Sequence, residues 1–207
     1  MSSLDASKAF DRVPHPKLIS KLIKREVPAC LINLINDWYG NLSSVVRWNG
    51  VLSTRFSVKM GVRQGSIMSP ILFNIYVDDL IWQLEASDLG CHVGNHYFGC
   101  LMYADDLLLT SGSISGLQCM LDICASYGNK NDIIFNNKKS VCIRFGPNSH
   151  GDTGSLYLGN NELGWVGSIK YLGVTFLAGP MLTVDTSYMK RRFYASCNYL
   201  LVKCKYA

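Results

Sequence analysis

The stretch Gly99–Thr110, GCLMYADDLLLT, decides the fold of this chain. It is a nearly continuous apolar run, interrupted in its middle by two adjacent carboxylates, Asp105 and Asp106. Such a run predicts a strand, a tight turn and a second strand. Two like charges at the tip of a buried hairpin repel each other and lose hydration, so they need a compensating cation. The pattern therefore predicts a magnesium site that takes one further carboxylate from elsewhere in the chain.

A second pair of adjacent aspartates, Asp78 and Asp79, lies in the stretch SPILFNIYVDDLIWQLE. Ser69 suits the cap and Pro70 the first turn of a helix there, and apolar residues follow at three- and four-residue spacing. Neighbouring side chains on a helix diverge by ~100°, so adjacent aspartates do not converge on one ion. We interpret this pair as a solvated or locally bonded part of a helix end.

Asp5, in the stretch LDASKAFDRV, is the candidate for the third carboxylate. Leu4 would end a short strand, and a helix-like sequence follows Asp5. A carboxylate at a strand end beside a carboxylate-bearing hairpin suits two metal ions ~3.5–4 Å apart, which activate a hydroxyl and stabilise a leaving pyrophosphate. That is the chemistry of nucleotidyl transfer. The alternative is that Asp5 caps a helix, a position that aspartate favours.

The composition predicts a globular chain with one core, or one core and a small appendage, because 48% of its 207 residues are hydrophobic and only 17% are charged. A net charge of +5 permits a nucleic-acid partner without requiring one. The apolar runs are shorter than the ~20 residues that span a bilayer, and the N-terminus lacks an apolar signal core. We therefore expect an intracellular protein, nuclear or cytoplasmic, without a membrane partner.

The eight cysteines are expected to be reduced thiols in such a compartment. Cys91, His92, His96 and Cys100 carry side chains that bind zinc, but their spacing matches no usual zinc finger. We interpret this cluster as a connection into the next strand.

The expected fold class is α+β. Pro16 and Pro28 predict helices over PKLISKLIKRE and PACLINLINDWYG. Asn49-Gly50 predicts a turn between strands near Ser44–Trp48 and Thr54–Met60. An antiparallel sheet is expected to carry Asp5 and the 103–106 hairpin. Helices near 70–84 and 114–127 would back this sheet, the second with apolar residues at core spacing: Leu117, Met120, Leu121 and Cys124.

Five ordered motifs resemble those of the reverse transcriptase domain of LINE-like, non-LTR retrotransposons. DASKAFDRV resembles motif A, GVRQGSIMSPILFNIYVDDL motif B, YADD motif C, NNKKSVCIRFG motif D and IKYLGVTF motif E. VVRWNGVLSTRFSVKMG is similar to an insertion of the non-LTR branch. The resemblance implies a polymerase palm with a partial fingers insertion over residues 1–165. The primer grip and the beginning of a helical thumb would follow over residues 166–207.

The resemblance also implies catalytic roles. Asp5 and Asp105 would bridge two Mg²⁺ ions, with Mn²⁺ as an alternative, while Asp106 would point off the other side of the turn in a secondary role. Lys139 would give a proton to the leaving pyrophosphate as a general acid. Lys138 competes for that role, and adjacent lysines in a turn are often only surface charge.

Other residues would contact the substrates. Phe10 resembles the steric gate that excludes a ribose 2′-hydroxyl, although it can equally pack in the core. Tyr103 would support the primer end. Tyr171, Leu172 and Gly173 would hold the primer strand as the primer grip.

The loop GVRQGS would face the incoming nucleotide and the template. Gln64 would touch the nucleotide, and Gly61 and Gly65 would let the backbone approach the template closely. Arg63 would reach a phosphate or remain solvated. The alternative for the whole loop is a plain turn.

The C-terminal stretch is helical in pattern and basic. Its cations suit either a thumb helix along a template–primer backbone or a solvated face: Lys190, Arg191, Arg192, Lys203 and Lys205.

Two functions of different class follow. The first is an RNA-directed DNA polymerase that joins a dNTP to a DNA primer on an RNA template. The second is a catalytically inactive retroelement remnant that at most binds nucleic acid. The trio of Asp5, Asp105 and Asp106 favours the ancestry of the first. The expectation that the fingers before Asp5 are missing favours the second as present behaviour. An RNA-directed RNA polymerase is disfavoured by Phe10 and by YADD.

Overall fold

The computed structural model describes residues 1–147 and 154–204 of the chain. These residues form five α-helices: α1 His15–Lys24, α2 Ala29–Gly40, α3 Ser69–Ala86, α4 Ile114–Asn131 and α5 Ser187–Cys204. A short 3-10 helix covers Phe10–Arg12. The strands in the described residues are β1 Ser2–Asp5, β2 Ser43–Ser44, β3 Arg47–Trp48, β4 Val51–Leu52, β5 Phe56–Ser57, β6 His92–Val93, β7 His96–Tyr97, β8 Cys100–Tyr103, β9 Asp106–Leu109, β10 Val141–Cys142, β11 Leu156–Leu158, β12 Asn161–Trp165, β13 Ser168–Tyr171, β14 Val174–Leu177 and β15 Thr183–Asp185.

The main sheet has six strands in the order β11-β12-β10-β1-β9-β8. Strand β1 lies inside this sheet and pairs antiparallel with both β9 and β10, so this short strand is held by neighbours on both sides. Leu4 is fully buried there. All the pairings are antiparallel except that of β10 with β12, which is parallel. The predicted α+β class is therefore correct, although the sheet is not purely antiparallel.

Helices α3 and α4 back the sheet, as predicted, and extend past the expected ends at residues 84 and 127. The four core positions predicted in α4 are all buried. The predicted cap of α3 is wrong: Ser69 is already helical, and its hydroxyl donates to the Arg63 carbonyl oxygen at 2.5 Å. Helix α4, by contrast, has a side-chain cap: Ser113 Oγ accepts the N–H of Gly116 at 3.0 Å.

The hairpin of β8 and β9 forms as predicted, with Ala104 and Asp105 in its two-residue turn. Ala104 has a φ of +53°, a conformation that hairpin turns require. Only β9 is fully buried beyond Asp106; β8 is an edge strand that is partly exposed. The expectation of a buried hairpin tip is therefore wrong, because Asp105 is half-buried and Asp106 is exposed.

Residues 43–57 form a second hairpin, with Asn49 and Gly50 at its turn as predicted. Its strands are shorter than expected and form two separate ladders, β3 with β4 and β2 with β5. Strands β6 and β7 form a small hairpin that leads into β8, in agreement with the interpretation of residues 91–100 as a connection. In that hairpin His92 pairs with Asp88 at 3.2 Å.

Strands β13, β14 and β15 form a separate three-stranded sheet. Helix α5 follows it and buries none of its side chains, and Lys205 of the predicted basic stretch lies outside the described residues. The division at residues 165 and 166 remains a prediction. Within the part of the chain that the structure describes, no helix combines the length and apolarity that a bilayer crossing demands.

Candidate active site

Asp5 and Asp106 face each other across two neighbouring strands. Asp5 is the last residue of β1 and is directly opposite Asp106, the first residue of β9. Directly opposed residues on antiparallel strands project from the same face, with Cβ atoms about 4.5–5.5 Å apart. Asp105 lies in the adjoining turn, where its carbonyl oxygen accepts the N–H of Ala6 at 3.4 Å. The fold therefore brings the N-terminal carboxylate to the hairpin, as the sequence predicted, and Asp5 does not cap a helix.

The side chain of Asp106 departs from expectation. Its register with Asp5 puts it on the face that Asp5 occupies, so the prediction that it points off the other side of the turn is wrong. The pKa of Asp106 is raised, chiefly because neighbouring atoms remove part of the hydration of its carboxylate, and then by the negative charges of Asp105 and Asp5. Three carboxylates thus concentrate negative charge at one end of the sheet, which favours a bound cation.

The donor set of this site consists of carboxylate oxygens, the ligands that Mg²⁺ and Mn²⁺ prefer. In the described residues, no three His, Cys, Asp or Glu side chains are grouped so that they could hold a metal ion by themselves. Mg²⁺ commonly uses only one or two carboxylates and completes its shell with waters and substrate phosphates. The site therefore fits an ion that binds together with a phosphate-bearing substrate.

The turn before β10 holds Asp5 in place. The N–H of Asp5 donates to the Ser140 hydroxyl at 3.2 Å, and the Asp5 carbonyl oxygen accepts the N–H of Asn136 at 2.7 Å. Lys139, from the same turn, places its Nζ 3.6 Å from Asp5 Oδ1 with 67% of its side chain exposed. The backbone N–H of Lys138 donates to Asn136 Oδ1. Of the two competing lysines, Lys139 is the one that pairs with a site carboxylate.

Phe10 is half-buried and stacks on Phe73 of α3, with ring centroids 4.6 Å apart and an interplanar angle of 17°. Its carbonyl oxygen accepts the N–H of Val62 at 2.7 Å. Phe10 therefore packs against the core, as the alternative interpretation predicted. One face of the Phe10 ring packs on Phe73, and the rest of the side chain is partly exposed. The gating role remains a prediction.

The loop Gly61–Ser66 is held by the segment that follows Asp5. Gln64 Nε2 donates to Asp11 Oδ1 at 3.1 Å, and His15 Nε2 lies 2.9 Å from the Gly61 carbonyl oxygen. Gly61 has a φ of +94°, and a Cβ there would lie 2.9 Å from the Asp11 carbonyl oxygen. This close approach to the Asp11 backbone requires glycine at position 61. The contacts of the loop with nucleotide and template remain predictions.

Gly65 and Arg63 are exposed parts of this loop. Gly65 has a φ of +80° and open space around it, so conformation rather than crowding favours glycine there. Arg63 contributes its carbonyl oxygen to Ser69, as described above. Burial chiefly raises the pKa of Tyr39, and hydrogen bonds to Ser69 and to the Arg63 backbone oppose that rise. The Tyr39 ring of α2 also packs against His15, with ring centroids 4.6 Å apart, and His15 in turn contacts Gly61 of the loop.

Asp11, His15 and Tyr39 were missed from the sequence. Each contacts a loop that is distant along the chain; His15 and Gly61, for example, are 46 positions apart. Asp11 lies inside a recognised motif, but no periodicity or spacing connects it with Gln64. Only folding brings these partners together.

The predicted primer-grip residues form the turn between β13 and β14. The Tyr171 hydroxyl donates to the Leu101 carbonyl oxygen of β8 at 3.0 Å, so this hairpin contacts the strand that leads to the carboxylates. Burial raises the pKa of Tyr171, with a smaller contribution from Asp106. Leu172 and Gly173 both have positive φ, as a two-residue hairpin turn requires. Tyr103, at the end of β8, is directly opposite Asp106 and mostly exposed.

The second aspartate pair lies away from this site, on α3. Asp79 pairs with Lys21 at 3.3 Å and with Lys24 at 3.8 Å, and Asp78 pairs with Arg25. Lys21 also donates to the Tyr76 carbonyl oxygen and to the Tyr127 hydroxyl. Asp78 and Asp79 are therefore neither solvated nor locally bonded at a helix end: they lie within α3 and form ion pairs with α1.

Comparison with known proteins identifies relatives of this chain. The Pol polyprotein of the type-2 retrotransposable element R2DM from Drosophila melanogaster is 31% identical over 186 residues, which cover 86% of this chain and 18% of the relative. The RNA-directed DNA polymerase from the mobile element jockey of the same species is 29% identical over 178 residues, covering 83% and 19%. The chain thus spans about a fifth of the length of these relatives.

Solved structures share its fold. A telomerase from Candida albicans, in complex with a fragment of telomeric RNA, matches with a TM-score of 0.61 and 17% identity, covering 89% of this chain and 31% of that chain. The apo telomerase from Candida tropicalis matches with a TM-score of 0.61 and 16% identity, covering 90% and 32%. These matches support the predicted polymerase palm. The sequence model of the family described as "Reverse transcriptase (RNA-dependent DNA polymerase)" matches residues 1–176, and the chain belongs to that family.

Proposed function

We propose that this chain is the palm-centred part of an RNA-directed DNA polymerase, which joins a dNTP to the 3′-hydroxyl of a DNA primer on an RNA template. One observation carries the proposal: Asp5 is directly opposite Asp106, with Asp105 in the adjoining turn. Membership of the reverse transcriptase family supports the same reaction. The relatives, the Pol polyprotein of R2DM and the RNA-directed DNA polymerase of jockey, are consistent with it.

Asp5 and Asp105 would hold two Mg²⁺ ions, and Asp106, on the face of Asp5, would contribute negative charge or a further ligand. When bound, such ions activate an attacking hydroxyl and stabilise a leaving pyrophosphate. The pKa of Asp106 is raised chiefly by loss of hydration and then by the charges of Asp105 and Asp5; this supports the assignment, because a nearby cation would offset that repulsion. The chain's own contribution is to hold the carboxylates on adjacent strands before substrate arrives.

Lys139 would donate a proton to the leaving pyrophosphate. Its exposed ammonium group lies 3.6 Å from Asp5 Oδ1, at the edge of the carboxylate cluster, and three donors on a flexible stem allow it to turn towards a phosphate. A positioned general acid typically contributes about 10²–10⁴-fold to a rate. Lys138 is the matched comparison, because it is adjacent in sequence and equally charged.

The incoming nucleotide and the template would contact Phe10 and the loop Gly61–Ser66. Phe10, braced by Phe73, would exclude a ribose 2′-hydroxyl. Gln64, held by Asp11, would touch the incoming nucleotide, while Arg63 would reach a phosphate and Gly65 would admit the template backbone.

The primer would contact the end of β8 and the turn between β13 and β14. Tyr103 beside Asp106 would support its end, and Tyr171, Leu172 and Gly173 would hold its strand. The hydrogen bond from Tyr171 to Leu101 supports this arrangement, because it fixes the β13–β14 hairpin against β8.

Primer extension on an RNA template tests the proposal. We expect Mg²⁺-dependent incorporation of dNTPs by the purified chain, lowered at least about 100-fold in Asp105→Asn, since metal ligation supplies several kcal/mol of transition-state stabilisation. The double variant Asp78→Asn/Asp79→Asn is the matched control, because it alters the other aspartate pair, and it should retain Mg²⁺-dependent incorporation. Circular dichroism of each variant verifies folding.

Two results would contradict the proposal. Undiminished incorporation by Asp105→Asn would remove the carboxylate cluster from the reaction. A folded wild-type chain that binds an RNA–DNA hybrid without Mg²⁺-dependent or Mn²⁺-dependent incorporation would support the inactive remnant instead.

A further inference from the structure

The hairpin of residues 43–57 lies in an unusually cationic part of the sequence. Between Asp37 and Asp78 the chain contains no acidic residue. Four cations occur in that interval: Arg47, Arg55, Lys59 and Arg63. A segment with positive charge and no carboxylates complements a polyanion better than it complements a typical protein surface.

These four cations are also unpaired. Within the described residues, none of their side chains forms an ion pair, a hydrogen bond or a cation–π contact. Other basic side chains of the chain, such as Arg25 and Lys21, have carboxylate partners. The charge of the hairpin is therefore available to phosphates.

The hairpin also exposes a large aromatic side chain. Every residue from 43 to 57 is exposed, and Trp48 has 76% of its surface accessible. Trp48 is directly opposite Val51, and alternation along the strand puts Val46 on the same face. An exposed indole beside apolar side chains is a platform on which a nucleic-acid base can stack.

The register of the two ladders changes within the hairpin. Arg47 is opposite Leu52, whereas Ser44 is opposite Phe56, so the later strand contains one extra residue around Arg55. Such a bulge bends and twists the ribbon. Arg47 projects from the face opposite Trp48, and an arginine side chain is long enough to reach past the edge of a two-stranded ribbon.

The base of the hairpin adjoins the loop that holds Gln64. The N–H of Val58 donates to the Leu42 carbonyl oxygen at 2.9 Å, and Met60 forms a bridge with Pro14. A cavity of about 530 Å³ opens there, lined in part by Ser43, Arg63 and Gln64. The cavity therefore connects the base of the hairpin with the loop that contains Arg63 and Gln64.

We propose that the hairpin of residues 43–57 binds single-stranded nucleic acid, with a base stacked on Trp48 and phosphates bound by Arg47 and Arg55. Binding by this hairpin is independent of catalysis by the carboxylates. The identification of that strand as the RNA template rests on the proposed function.

Fluorescence anisotropy with a labelled oligouridylate, which is unstructured, tests the binding at several salt concentrations. We expect Trp48→Ala to weaken binding by about 5- to 150-fold, the loss typical of one base–aromatic stack. Arg47→Gln/Arg55→Gln should reduce the slope of log affinity against log salt by about 1.4, because each phosphate contact on a single strand contributes about 0.7. Trp82→Ala and Lys24→Gln are matched controls, since both residues are exposed elsewhere, and they should bind as the wild type does.

Unchanged affinity and salt slope in the hairpin variants would overturn the proposal. So would a result in which Trp48→Ala abolishes self-association of the chain, measured by light scattering, but leaves oligouridylate affinity unchanged, because the face would then bind protein. Asp105→Asn should retain oligouridylate binding. If the chain binds oligouridylate through the hairpin but incorporates no nucleotide, the polymerase function is refuted and the hairpin proposal is supported.

Discussion

Asp5 and Asp106 occupy directly opposed positions on β1 and β9, so two carboxylates that are distant in sequence project from one face of the sheet. The turn residue Asp105 adds a third negative charge. The ion pair between Lys139 and Asp5 offsets only part of this charge, because the lysine is largely exposed and exposed pairs are weak. The arrangement is therefore electrostatically unfavourable by itself, and we expect its stability to depend on pH and on bound cations.

Asp106→Asn is expected to stabilise the metal-free chain at neutral pH. The pKa of Asp106 is higher in the folded than in the unfolded chain, so the folded state binds more protons between the two pKa values. The free energy of unfolding therefore decreases as pH rises through that window, and the asparagine variant lacks this decrease. Urea denaturation in a chelator, at acidic and at neutral pH, measures the effect. Asp37→Asn, on the exposed surface of α2, is the control; an equal gain in both variants would contradict the prediction.

Lys139→Ala is expected to slow primer extension by about 10²–10⁴-fold, whereas Lys138→Ala should leave the rate nearly unchanged. The reason is that Lys139 pairs with Asp5 and Lys138 does not. Single-turnover rates over a range of pH separate proton donation from charge alone, because the loss of a general acid alters the basic limb of the profile. Similar losses in both variants would indicate that the turn contributes only general positive charge.

Phe10→Val is expected to increase the use of ribonucleoside triphosphates relative to dNTPs by about 10- to 200-fold, the discrimination that small steric differences in a pocket supply. Competing incorporation of the two nucleotides on one primer measures the ratio. The variant also removes the stack on Phe73 and will lower the melting temperature. Phe73→Leu provides the control, because it loses the same stack but keeps the side chain of Phe10; a matching change in selectivity would exclude a direct gate.

Leu121→Asp is expected to unfold the chain. Leu121 is fully buried in α4, and an aspartate there would bury an unpaired charge at a cost of about 4 kcal/mol or more. Thermal denaturation followed by circular dichroism measures the loss. Cys119→Asp places the same residue on the exposed side of the same helix and should melt close to the wild type. A soluble Leu121→Asp chain with a cooperative transition would refute the assigned packing.

Local patterns were enough for several elements of the fold. The apolar run around Asp105 predicted the hairpin of β8 and β9. Short apolar stretches indicate buried strands, and the polar interruption between them indicates the turn. Asn49-Gly50 predicted its turn because few dipeptides adopt the required positive φ. The spacing in α4 predicted its core face correctly. These features depend on residues that are neighbours in sequence.

Local patterns failed where the partner was distant. Ser69 has the side chain of a helix cap, but in the folded chain it already belongs to the helix and its hydroxyl donates to the Arg63 carbonyl oxygen. The partial exposure of β8 follows from its place at the edge of the sheet, which is a property of strand order and not of composition. The support of Gln64 by Asp11 likewise has no counterpart in either stretch taken alone.

The sequence by itself determined the family and the α+β class and indicated three candidate carboxylates, because ordered motifs and apolar periodicity can be read along the chain. Only the tertiary structure decided that Asp106 shares a face with Asp5, that Lys139 rather than Lys138 pairs with it, and that Asp78 and Asp79 bond to α1. The physical reason is strand register and helix packing: both fix directions in space between residues that no local rule connects.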